Sequence, residues 1–136
     1  AAIVNKDAVT ALHIVEADRA ALDCARVNCT DPRASFHWAD ATAWAGGPVD
    51  TVVMNPPFHA GRQADPGIGR AFIDAAARCL APSGRLWLVA NRHLPYESAL
   101  ADRFADVAEA GGDNRFKILY AERPQRAGRH RGKRRR

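Results

Sequence analysis

Nothing in the 136-residue chain is apolar for long enough to cross a bilayer, a span that takes about 20 residues. No signal-peptide pattern opens the chain either, although a start at Ala1 without Met suggests processing or truncation. Cysteine is scarce. Cys24, Cys29 and Cys79 are odd in number and lack CxxC spacing, which argues against a zinc site, and no metal site is expected. Free thiols in a reducing cytoplasm are the better reading. No internal repeat is visible, and the length allows one domain and one core. What is present is ordinary for a soluble globular protein: 47% hydrophobic and 26% charged residues.

The net charge of +5 conceals an uneven distribution. Residues 122–136 hold seven Arg and Lys133 against Glu122, a net of +7. The first 121 residues hold the remaining 12 basic and 14 acidic groups, a net of −2. A Gly/Arg-rich basic tail of this kind neutralises phosphates without reading sequence. A solvated, disordered end with no dedicated partner is the alternative. The chain thus divides into a domain over 1–121 and a tail over 122–136.

Apolar periodicity sets the elements. Thr10–Val15 reads as a strand with Glu16 at its end, and Asp18 can cap a helix over Arg19–Cys29. Its apolar stripe is Ala21, Leu22, Ala25 and Cys29. Ser35–Ala39 is a short strand ending at Asp40. Val49–Met54 lacks strict alternation, as strands covered on both faces do. A helix over about Ile68–Leu80 is closed by Pro82-Ser83-Gly84. Leu86–Ala90 is another buried strand, and Tyr96–Phe104 a helix. A hairpin of about Val107–Ala110 and Phe116–Ala121 ends the domain. Trp38, Trp44 and Trp87 have core explanations, and a solvated strand face accounts for Arg115 and Lys117. Strand and helix in this order indicate an α/β fold, mostly parallel, with an antiparallel hairpin at one edge.

Glu16, Asp40 and Asn55 each follow a predicted parallel strand, and ligands of open α/β sheets bind beyond those ends. A carboxylate such as Glu16 can accept from both hydroxyls of a ribose; capping the next helix is the structural alternative. Behind Met54 stands Asn55-Pro56-Pro57-Phe58: an amide acceptor, a rigid backbone carbonyl and a stacking ring. These suit a flat ring bearing an exocyclic amine. No residue is an obvious strong general base.

Asn55-Pro56-Pro57-Phe58 resembles the Asn-Pro-Pro-Phe/Tyr motif of amino-methyltransferases that use S-adenosylmethionine. The stretch Asn55–Gly61, with Ala90–Tyr96 and Arg115-Phe116-Lys117, resembles one branch in particular, the C-terminal catalytic domain of bacterial small-subunit ribosomal RNA guanine-N2 methyltransferases. The likeness runs from about Thr10 to Ala121. It implies a Rossmann-like class I methyltransferase sheet, a ribosomal RNA or small-subunit partner, and a cytoplasmic enzyme. It also implies roles. Glu16 would bind the cofactor ribose, and Asp40 with Ala41 its adenine. Asn55, Pro56 and Phe58 would act on the target base, with Pro57, His59, Asn91 and Arg92 binding substrate. The family's first strand and glycine-rich cofactor loop are expected upstream of residue 1, so 1–121 would be a partial domain. The same acceptor geometry would serve a protein glutamine, or an adenine or cytosine amine in DNA. A catalytically inactive domain that docks RNA through its tail is the non-enzymatic alternative.

Overall fold

The computed structural model describes residues 6–60 and 63–125, with backbone alone at 59–60 and 63–64. The described residues form two compact units that divide between Trp44 and Ala45.

In the first unit, β1 (Leu12–Glu16) pairs in parallel with β2 (Ala34–Trp38) through α1 (Arg19–Asn28). Asp18 caps the helix as expected: its Oδ1 accepts from the Ala20 and Ala21 amides at 2.9 and 3.3 Å. Leu22 is fully buried, whereas Ala21 of the expected stripe is exposed. Arg19 lies over the Trp38 ring and Arg26 over Phe36, so the helix covers this face with cations as well as apolar atoms. On the alternate strand positions His13 and His37 meet at 3.0 Å, and both rings lie against Trp44. Trp38 is 62% exposed, so it is not core; its indole N–H donates to the Ala17 carbonyl.

The second unit is a four-stranded sheet in the order β3 (Val49–Met54), β6 (Leu80–Asn91), β8 (Phe116–Pro124), β7 (Phe104–Gly112). β3 and β6 run parallel; the other neighbours are antiparallel. A two-residue ladder, β4 (His59–Ala60) with β5 (Gln63–Ala64), precedes α2 (Pro66–Cys79). The remaining helix is α3 (Tyr96–Arg103). Leu86, Leu88, Leu119 and Ala121 project toward Ile73, Ala76, Tyr96 and Leu100 of the helices, and all are buried. Burying a leucine or isoleucine is worth about 1.5–3 kcal/mol, so this interface carries the unit. Gly69 permits the approach of the helices, since a Cβ there would run into the Tyr96 ring.

Three expectations need correction here. The helix ends at Cys79, where the Leu80 amide bonds Ala76 O, and strand follows immediately. Residues 81–84 are absorbed as a register shift that sets Leu80 opposite Val49 and Arg85 opposite Thr51. β3 is not covered on both faces: Val53 is 55% exposed and sits in register with Trp87, itself outside the core and packed at a tilt against Tyr120, ring centroids 4.6 Å apart. Finally, β8 runs on to Pro124, held opposite Phe104, so Glu122–Pro124 belong to the sheet rather than to a tail. Residues 126–136 of the expected tail lie outside the described residues.

Candidate functional site

In the first unit, parallel pairing brings Glu16 opposite Trp38, two residues before Asp40, so both carboxylates stand at one end of the strand pair. The Ala39 amide donates to Glu16 O at 3.2 Å and closes that end. Capping of α1 falls to Asp18. Glu16 accepts the Asp18 amide on Oε1 at 2.9 Å, and no hydrogen bond occupies Oε2 among the described residues. Asp40 accepts the Thr42 amide and hydroxyl on Oδ1 at 2.8 and 2.7 Å. The Thr42 hydroxyl, then its amide, hold the Asp40 carboxyl below the usual range. Asp40 therefore stays an acceptor at neutral pH. Two acceptor-only groups at one strand end fit a nucleoside, which offers ribose hydroxyls and an amino group as donors. Ala41 is half-buried between Asp40 and Thr42.

In the second unit, Asn55 is exposed and follows Met54, which is paired with Leu88 of β6. Pro56 is buried, Pro57 exposed and Phe58 half-buried. The prolines fix their own φ and restrict the residue before them, so the Pro56 carbonyl is aimed by covalent geometry. The far end of the motif is tied down. Phe58 O accepts the Asp65 amide at 2.8 Å, and the Asp65 carboxylate caps α2 through the Gly67 amide. Of His59 only the backbone is described, and Gly61 lies outside the described residues.

Asn91 ends β6, so it and Asn55 stand at the carboxyl ends of adjacent parallel strands. Arg92 is committed to the β7–β8 turn. Its Nε donates to Asp113 O at 2.7 Å, it pairs with Glu109 at 3.0 Å, and it reaches Phe116 O at 3.4 Å. Gly112, at φ 138°, leaves room for it: a side chain there would be strained and would crowd the guanidinium. Arg92 thus positions the turn.

The alternation of Phe116–Ala121 runs opposite to expectation. Lys117 is 4% exposed, on the face with Leu119 and Ala121, whereas Phe116 is 45% exposed. The Lys117 ammonium donates to Leu94 O and to Glu97, both at 2.6 Å, and pins the 92–95 loop to β8. Burial opposes ionisation of Glu97. The hydrogen bond from Lys117, the Glu97 backbone amide and the charges of Lys117 and Arg92 nevertheless bring its carboxyl below the usual range. Its parity with Leu119 and Ala121 was the available signal for Lys117; Thr42, which holds Asp40, carries none beyond its spacing.

The family model of the methyltransferase small domain matches residues 1–120. Ribosomal RNA small subunit methyltransferase C of Alcanivorax borkumensis is 49% identical over 75 residues, 55% of this chain and 23% of that protein. Ribosomal RNA large subunit methyltransferase G of the same organism is 33% identical over 108 residues, 76% of this chain and 28% of that protein. The chain therefore spans about a quarter of the length of these curated relatives. A solved 16S rRNA N2 methyltransferase of T. thermophilus, in complex with AdoMet and guanosine, matches with a TM-score of 0.67. That match has 28% identity and covers 83% of this chain and 31% of the other.

Proposed function

The chain belongs to the methyltransferase small domain family and shares its α/β class I methyltransferase fold, and from that premise we propose that it is part of an enzyme methylating the exocyclic amine of a guanine in small-subunit ribosomal RNA. The observation that carries the proposal is the placement of Asn55-Pro56-Pro57-Phe58 at the carboxyl end of β3, its backbone held by Asp65.

S-adenosylmethionine, when bound, supplies the methyl group as an electrophilic sulfonium substituent. Glu16 holds the ribose and Asp40, beside Ala41, the adenine amino group. The guanine amine is a poor nucleophile because its lone pair is conjugated into the ring. The Asn55 carboxamide oxygen and the Pro56 carbonyl accept its two N–H bonds and favour the geometry in which the lone pair leaves the ring plane. Pro57 keeps that carbonyl aimed, and Phe58 stacks on the base once it has left its own stack. A neutral acceptor suffices, because the nitrogen gains positive charge only during transfer and then loses its proton readily to solvent. Asn91 faces the same end of the sheet, and His59 follows the motif along the chain. Basic residues beyond Gln125 add phosphate affinity of low sequence dependence. A ribosomal substrate places the activity in the cytoplasm; no described helix is long and apolar enough to cross a membrane.

Large-subunit RNA is the second reading, favoured by the longer match to the large-subunit methyltransferase. The test is transfer of labelled methyl by the intact protein to ribosomal subunits lacking the modification. N2-methylguanine in the small-subunit digest is expected; label confined to large-subunit RNA or to protein glutamine would sink the proposal. Asn55→Ala should lower turnover by about a hundredfold or more, by analogy with a lost oxyanion-hole donor, while cofactor affinity holds. Full activity in that variant would remove Asn55 from the reaction.

A further inference from the structure

Beside the strand end that carries Asn55, a cleft of about 510 Å³ opens between the 91–93 segment and the β7–β8 turn, lined by Asn91, Arg92, His93, Asn114, Arg115 and Phe116. Its floor is firmly built. The Arg92 amide donates to Arg115 O at 2.8 Å, and the Arg92 guanidinium ties down Asp113 and Phe116 as described. Asp113 accepts the Arg115 and Phe116 amides on one carboxylate oxygen at 2.8 and 2.9 Å. These hydrogen bonds, the Phe116 amide first, hold the Asp113 carboxyl below its usual range. The turn is thus tied by hydrogen bonds from Arg92 and from Asp113, while the side chains it displays are open. Phe116 is 45% exposed. His93, Asn114 and Arg115 are exposed, and the ion pairs of the described residues engage Arg92 but neither Arg115 nor His93.

An exposed ring, two carboxamides and an unpaired guanidinium on a fixed frame have a chemical reading. A planar ring at the surface of this turn suits a nucleobase face, carboxamides suit base edges, and Arg suits a phosphate. Sheet register says which nucleotide. Asn55 follows β3, and Phe116 pairs with Asn91 on the far side of β6. Two strand spacings, about 9–10 Å, separate the β3 and β8 columns, and Asn91 lies beyond the Met54–Leu88 pair along the strand. A base whose amine meets the Asn55 carboxamide and whose face meets Phe58 leaves Phe116, two strands away, open to a neighbouring base.

We propose that this cleft binds a nucleotide of the substrate RNA next to the methylated one, with its base on Phe116, its edge toward Asn91 and Asn114, and its phosphate on Arg115. The proposal rests on the RNA-methyltransferase reading above and adds to it a second recognition point. RNA would be held at two places along one end of the sheet, so the enzyme reads sequence or shape flanking its target.

The test is titration of the intact protein with short single-stranded RNA oligonucleotides carrying a guanosine, at several salt concentrations. Methyl transfer by the parent protein is measured separately. Phe116→Ala should weaken binding on the order of tenfold or more, the range of a lost base–aromatic stack, and Phe116→Trp should restore it. Arg115→Ala should lower the slope of log affinity against log salt by about 0.7, one phosphate on a single strand. Thermal melts of each variant verify folding. Unchanged RNA affinity in Phe116→Ala, while the parent methylates guanine, overturns the cleft and leaves the methylation reading standing. A parent that methylates no guanine, but loses RNA affinity with Phe116→Ala and regains it with Phe116→Trp, keeps the cleft and overturns that reading. A Phe116→Leu variant that binds as well as Phe116→Trp would show that bulk rather than stacking matters, and would overturn the assignment.

Discussion

Glu16 and Asp40 in the first unit bond to groups two residues away, Asp18 and Thr42. Around the cleft of the second unit, the bonds of Arg92 and Lys117 span 17 to 24 residues. Core follows the same division. Leu22 is the buried leucine of residues 1–44, whereas Ile73, Leu86, Leu88, Leu100 and Leu119 interlock in residues 45–136. The two regions differ in how each candidate group is held. An acid at a strand end needs only a turn to aim it, and turns are local. The loop after Asn91 has local hydrogen bonds too, from the Leu94 amide to Asn91 O and from the Tyr96 amide to Leu94 O, but Lys117 and Arg92 add side-chain ties between it and the β7–β8 hairpin.

The most disruptive way to press on this contrast is a cavity in the second core. Leu88 is fully buried and stands opposite Met54, the residue before Asn55. Leu88→Ala should cost about 2–5 kcal/mol and speed amide exchange in β6 and β8. Leu22→Ala should raise exchange in α1 and leave the protection of β6 unchanged. Equal loss of β6 protection in the two variants would erase the distinction between a locally held and a distantly held region.

Next in size is the local site. Glu16→Ala removes an acceptor proposed to take ribose hydroxyls, and hydrogen bonds to charged groups are worth about 1.5–3 kcal/mol. Calorimetry on the intact protein should show S-adenosylmethionine affinity down by about ten- to a hundredfold. Thr42→Ala is the finer probe, since it strips one of the two Thr42 hydrogen bonds that aim Asp40. It should weaken binding by less than Glu16→Ala. Cofactor affinity unchanged in Glu16→Ala would remove that residue from the ribose.

Legibility in the sequence follows the same division. The strand-end acids, the Asp18 cap and the Asn55 motif were visible because each depends on neighbours in the chain. Element existence was visible too, since periodicity is local. What failed was face assignment. In Phe116–Ala121 both alternate sets contain apolar residues, and the set containing a lysine is the buried one. A one-residue choice of parity flips a whole strand. Leu119 and Ala121 carry that face into the core, and Leu94 and Glu97, 23 and 20 residues upstream, anchor the lysine that goes with them. Val49–Met54 misled for the converse reason: an apolar run says that a strand is fit to be covered, not that both its faces are.

The smallest expected effect isolates that anchorage. Lys117 and Glu97 are joined at 2.6 Å, with the lysine buried and the carboxylate half-exposed. Because the Glu97 carboxyl lies below its ordinary range in the folded chain, folding favours its ionised form. The stability this contributes is complete above the ordinary glutamate range and is lost as pH falls through the lowered value. Half-exposure screens the pair, so the effect is modest. Melting of the intact protein and of Glu97→Gln should therefore differ most at neutral pH and converge in acid. The sign is opposite to that of a buried carboxyl held neutral, for which acid would stabilise. Leu94 O shares the same ammonium, so the loss should also show as faster exchange in the 92–95 loop before the core opens. A melting difference that stays constant from neutral to acid pH would mean that Glu97 does not hold Lys117 through charge, and the loop would then owe its place to the Leu94 carbonyl alone.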